Sequence, residues 1–107
     1  MYDDATVVTF TASQGASTNG ITFPIRIHKV AMTHADGTAA AAVSIFDAAT
    51  ATGTAVIILN ANEVTDTTSD HFEKYCQADF DPPMPLKTGL STTITNSGVV
   101  KVYYTRI

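Results

Sequence analysis

Residues 86–104 read LKTGLSTTITNSGVVKVYY, and the way this stretch pairs decides the fold. Leu90, Thr92 and Ile94 alternate along one segment, and Val100, Val102 and Tyr104 alternate along the next. Between them, Asn96-Ser97-Gly98 supplies residue types that tolerate positive φ, as a tight hairpin turn requires. β-branched and aromatic side chains fill both arms and suit a pleated, half-buried surface better than a helix. The reading is a β-hairpin that closes the chain. Neither this stretch nor any other forms a recognisable catalytic set, so no enzyme activity and no cofactor are expected.

Working outward, Asp81-Pro82-Pro83-Met84-Pro85 should end whatever element precedes it, because proline removes a donor and restricts the residue before it. Residues 72–80 fit two templates. Phe72, Cys76, Ala78 and Phe80 alternate as in a strand, while Phe72, Tyr75, Cys76 and Asp79 fit a helical turn. Residues 60–70 are polar and without period. Residues 54–59 hold the continuous apolar run Val56-Ile57-Ile58-Leu59, which fits a strand covered on both faces. Residues 39–47 begin with four alanines, a possible helix start, but Val43-Ser44-Ile45-Phe46-Asp47 alternates at period two and reads as strand. A turn signal, Ala35-Asp36-Gly37, precedes them.

The longest strand candidate is 23–34. Phe23, Ile25 and Ile27 share one face, whereas Val30 and Met32 fall on the other. A one-residue slip at His28-Lys29 would bring all five inside, as a β-bulge does. Residues 1–20 read as an N-terminal strand or extended arm followed by a flexible, small-residue loop, ahead of a sandwich domain at 21–107. The arm could pair with its own sheet or with a neighbouring subunit. Six to eight short strands separated by turn signals give an all-β sandwich or small barrel.

The chain has 107 residues, enough for one domain. Only 15% of its residues are charged, well below the usual ~25%, and Thr and Ala take their place. Such a surface suits a protein whose faces are covered by neighbours or by copies of itself. The net charge of −4, with six scattered Lys and Arg, argues against direct nucleic-acid binding. No segment approaches the ~20 apolar residues of a membrane span, and no signal-peptide pattern follows Met1. The reading is a protein made in a cytoplasm and remaining soluble. Cys76 is the one cysteine, which rules out an intrachain disulfide and a cysteine zinc cage.

The remaining chemistry reads as structural. His28 and His34 would lie roughly 20 Å apart on one regular strand, too far to share an ion, and His71 stands alone. Cys76 falls on the apolar face of its segment, as a core thiol does. Asp66, Asp70, Asp79 and Asp81 lack calcium-loop spacing and read as turn and strand-end residues. Tyr103 and Tyr104 point to opposite faces of a strand, so only one can floor a sugar site on a given side. No metal site is expected.

One pattern runs from residue 23 to the end of the chain. A hydrophobic strand at 25–32 leads to Ser44-Ile45-Phe46-Asp47, a Thr52-Gly53-Thr54 turn, an apolar strand at 56–59 and a proline-rich crossover at 80–85. Thr88-Gly89-Leu90 and a closing Val100-Lys101-Val102-Tyr103-Tyr104 complete it. This order resembles a group of small phage virion structural proteins. The resemblance implies a β-sandwich of jelly-roll type, built into a virus particle as a capsid cement or decoration protein; the alternative is a tail or fibre component, with carbohydrate or receptor binding as its role. It implies the major capsid protein and copies of itself, as a homotrimer, for partners. The expected contacts lie on the N-terminal arm (Tyr2, Val7, Val8, Phe10) and the crossover (Asp79, Phe80, Asp81, Pro82, Pro83, Met84, Leu86), since extended arms and edges can add to another chain's sheet.

Overall fold

The computed structural model describes residues 5–34, 41–61, 75–95 and 97–107. Seven strands run through them: β1 (Thr6–Phe10), β2 (Ile25–His34), β3 (Ala41–Asp47), β4 (Ile57–Ala61), β5 (Tyr75–Leu86), β6 (Leu90–Thr95) and β7 (Ser97–Arg106). One helical turn, α1 (Ala16–Asn19), lies between β1 and β2. Two antiparallel sheets result, ordered β1-β7-β2-β5 and β4-β3-β6. Their inner faces share one core, in which Phe10, Ile25, Ile27, Val30, Ile45, Leu90, Val100 and Val102 are fully buried. The expected all-β sandwich is the fold.

The pairing has a simple logic. β1 pairs with β7, the segment 13–21 lies along β6, β2 pairs with β5, and β3 pairs with β4. The chain is thus doubled into one long antiparallel ribbon. Rolling that ribbon brings β7 against β2 and β6 against β3. This is jelly-roll wrapping, with one strand position taken by a bridge and a helical turn.

The hairpin expected at 86–104 does not form. β6 belongs to the three-stranded sheet and β7 to the four-stranded one, so the two strands face each other across the core, an arch in place of a hairpin. Leu90 and Thr92 point into the core from one side, Val100 and Val102 from the other. Alternation names the inward residues but is identical for a strand lying beside its predecessor and one lying across from it.

The slip in β2 is present. Its register to both neighbours shifts between Ile27 and Lys29, leaving His28 as the extra residue, and Ile25, Ile27, Val30 and Met32 are all buried. Phe23 packs against the same core. β3 is a strand from Ala41, while Ala39, Ala40 and the Ala35-Asp36-Gly37 turn signal lie outside the described residues. For 72–80 the strand template holds from Tyr75 onward.

Three further expectations are corrected. The prolines at 82, 83 and 85 do not end β5, which runs through them to Leu86. Among the described residues β5 is an edge strand paired with β2 alone, where missing donors are tolerated. Ile27 pairs with Met84 and Lys29 with Asp79, so Phe80, Asp81, Pro82 and Pro83 bulge opposite His28. The Asp81–Pro82 peptide is cis. Second, the apolar run at 56–59 is covered on one face only: Ile57 and Leu59 are buried, but Ile58 is 61% and Val56 41% exposed. Third, 13–20 is not a loose loop, because hydrogen bonds to β6 hold it in place. The stretch before it is a strand of the protein's own sheet, paired with β7 over five residues.

Candidate docking surface

At one corner of the sandwich the polar groups are consumed by the fold. The outer edge of β6 is closed by 13–21. Gln14 exchanges backbone hydrogen bonds with Thr92 (3.1 and 2.8 Å), and Ser13 Oγ accepts from the Ile94 N–H at 2.8 Å. The Leu90 N–H donates to the Ile21 carbonyl at 3.0 Å. The Asn19 side chain donates to the Leu90 carbonyl at 2.7 Å and accepts from the Ile21 N–H at 2.8 Å. Gly20, at φ 82°, ends α1 in the left-handed conformation that glycine adopts without strain. Buried Ser91 donates to the Ala48 carbonyl at 2.7 Å and accepts from the Ala16 N–H at 3.1 Å. Ser91 is therefore satisfied, as a buried hydroxyl must be.

Asp47 completes this corner. Its carboxylate accepts the N–H groups of Lys87 (3.0 Å), Thr88 (2.7 Å) and Gly89 (3.4 Å). Partial burial pushes the carboxyl pKa up, but these donors and the Lys87 charge outweigh it and hold the pKa below its ordinary 3.8. Gly89 sits where a Cβ would lie 2.9 Å from the Ile21 carbonyl oxygen and 3.0 Å from the Ala16 Cβ. The Thr88-Gly89-Leu90 element is thus a packing requirement of the corner.

The two outer faces differ. On the four-stranded sheet, exposed Arg26 and Lys101 project between buried neighbours, and Lys29 stands over the Tyr103 ring, 5.3 Å from its centroid. Asp79 pairs across from Lys29, and His28 Nε2 lies 2.9 Å from Thr105 Oγ1. Tyr104 turns to the core side, so the two tyrosines do face opposite ways. On the three-stranded sheet, cross-strand rungs run Thr93–Ser44–Ile58 and Thr95–Ala42–Asn60, with Phe46 beyond them. Among the described residues this face carries no charged side chain.

The expected contact residues occupy two opposite edges of one sheet. β1 and β5 are separated by β7 and β2, about 14 Å in all, so the arm and crossover are not brought together. Val7 is 45% exposed and Val8 packs partly on the core. Phe10 and Leu86 are fully buried in the protein's own core and leave no side chain for a partner. Asp79, Asp81 and Pro82 are exposed, while Phe80, Pro83 and Met84 are half-buried. Tyr2 lies outside the described residues, as do Asp66, Asp70, His71 and Phe72. The side chain of Cys76, opposite Met32 on β5, is likewise undescribed.

The uncharged rungs on β3, β4 and β6 were missed by sequence reading. The available signal was the run at 56–59 together with the low charge content, since alternate members of the run must point outward. Among the described residues no three His, Cys, Asp or Glu side chains could together hold a metal ion, and no helix is long and apolar enough to cross a membrane. No family model, curated protein or solved structure matches the chain. The class defined by fold and surface is a small jelly-roll sandwich with one charged outer face and one that carries no charge among the described residues.

Proposed function

We propose that this protein is a non-enzymatic structural component of a phage virion, a capsid cement or decoration protein that binds the major capsid protein and copies of itself. The observation that carries the reading is the outer face of the β4-β3-β6 sheet. It is a rigid, pleated surface without charge among the described residues, and it presents Ile58 at 61% exposure. Covering such a face desolvates no ion among the described residues. Burying the rest of Ile58 under a partner contributes about 1–2 kcal/mol. The virus particle itself enters through the resemblance of the segment pattern from residue 23 onward.

A sugar-binding tail or fibre component is supported less well. Its aromatic platform would be Tyr103, and that ring already lies beneath the Lys29 ammonium. The test is cryo-electron microscopy of the parent particle. The reading expects density for this chain on the shell, its uncharged face against capsid subunits. Density confined to the tail moves the role there, and absence from the particle overturns the virion reading.

A further inference from the structure

We infer that β1 is a self-association edge: two copies of this chain pair β1 with β1 antiparallel about a two-fold axis, joining their four-stranded sheets into one of eight strands. The inference concerns the free protein and does not depend on the virion reading.

The argument starts from how the sheet edges are treated. Free proteins blunt exposed edges with proline, charge, bulges or a covering segment. β5 has three of these devices: prolines at 82, 83 and 85, exposed Asp79 and Asp81, and the bulge opposite His28. β6 has the fourth, since 13–21 covers it. β4 leads directly into 62–74, so the surroundings of its edge fall outside the described residues. Among the described residues β1 has none of the devices. Its sequence is Thr-Val-Val-Thr-Phe, its register to β7 is unbroken over five residues, and among the described residues it pairs with β7 alone.

The occupant follows from symmetry and charge. Across a two-fold axis a strand meets its own sequence, and charges of one sign near the axis are brought close to one another. On β5, an axis through Phe80 would set Asp79 against the partner's Asp81, like charge against like. β1 carries no charge to repel, and its Val and Thr residues favour strand pairing.

Complete overlap of the five residues centres the axis on Val8. Val8 then lies opposite the partner's Val8, and Val7 lies opposite the partner's Thr9. This register keeps Val8 and Phe10 on the core side and Val7 and Thr9 on the outer side in both copies. A five-residue ribbon is a small interface, below the ~1,000 Å² of stable complexes, so the dimer is weak and concentration-dependent.

Sedimentation of the full chain from about 10 μM to about 1 mM, a span that covers weak affinities, should show mass rising toward twice 11.3 kDa. Val7→Lys, on the exposed outer side, should remain monomeric with an unchanged circular dichroism spectrum. The register is tested by oxidation in a Cys76→Ser background. Val7→Cys and Thr9→Cys chains mixed together should cross-link about fivefold more than either alone. The mixed pair lies directly opposite, whereas identical positions lie roughly 8 Å apart, beyond disulfide reach. Monomer throughout without preferential cross-linking, a trimer mass, or a dimer indifferent to Val7→Lys with equal cross-linking in all three samples would overturn the proposal. If Val7→Lys fails to fold, the cross-linking comparison decides.

Discussion

The corner built from 13–21, Asp47 and 87–91 and the open face of β3, β4 and β6 belong to the same sheet, yet they treat polar groups in opposite ways. At the corner, the polar groups of Asn19, Asp47 and Ser91 are spoken for within the chain. On the face, Ser44, Thr93 and Ile58 line a rung that adds nothing to the core beneath it. The difference separates residues that make the fold from residues available to a partner. Substitutions at the corner should destabilise the protein, and substitutions on the face should leave its stability nearly unchanged.

Gly89→Ala should have the largest effect on stability. Its Cβ would press on the Ile21 carbonyl and Ala16, which is backbone and core rather than a flexible side chain. The expected loss is about 1–3 kcal/mol, read from a shifted denaturant midpoint. A neutral outcome would mean that the corner yields easily and is not what holds 13–21 in place.

Asp47→Asn comes next. The amide keeps one acceptor but loses the charge that strengthens the N–H contacts, at about 1 kcal/mol near neutral pH. The pH dependence has a definite sign. Because the folded carboxyl lies below 3.8, its stabilisation is complete above that ordinary value and is lost as pH falls through the folded pKa. The gap between wild type and Asn should therefore be level above about pH 5 and shrink at lower pH. A gap that widens on acidification would contradict the assignment.

The smallest stability change belongs to the face. Ile58→Lys and Thr93→Lys should each stay within about 0.5 kcal/mol of wild type, because the side chains they replace are exposed. A loss comparable to that of Gly89→Ala would erase the distinction between the two regions.

Much of the fold was legible. The three-residue step from Ile27 to Val30 located the bulge, since only an extra residue reconciles that spacing with one inward face. At Ala41 and Ala42 the helix alternative lost to the alternation after it. What could not be read is long-range. Leu90–Thr92–Ile94 and Val100–Val102–Tyr104 carry the same pattern whether they pair or face each other, so hairpin and arch were indistinguishable. Proline predicts a break only where both strand edges need donors, and among the described residues β5 pairs on one edge. The sandwich followed from strand spacing, but its jelly-roll wrapping rested on resemblance until the pairings were seen.

The candidate surface was less legible. Phe10 looked like an arm contact because an N-terminal apolar residue carries no mark of which side it faces. It is core because its neighbour is Val100. Low charge indicated a covered surface, but only the β3 pairings bring Ser44, Ile58 and Thr93 into one row.

The most direct test of the proposed docking face is occupancy of this chain on purified particles of the parent phage, compared between Ile58→Lys and Lys101→Glu. Both positions are exposed, one on each outer face, and each substitution alters charge. The account predicts that Ile58→Lys lowers occupancy at least about tenfold, equivalent to about 1.4 kcal/mol, while Lys101→Glu binds like wild type. Full occupancy with Ile58→Lys and loss with Lys101→Glu would place the docking surface on the opposite sheet and contradict it.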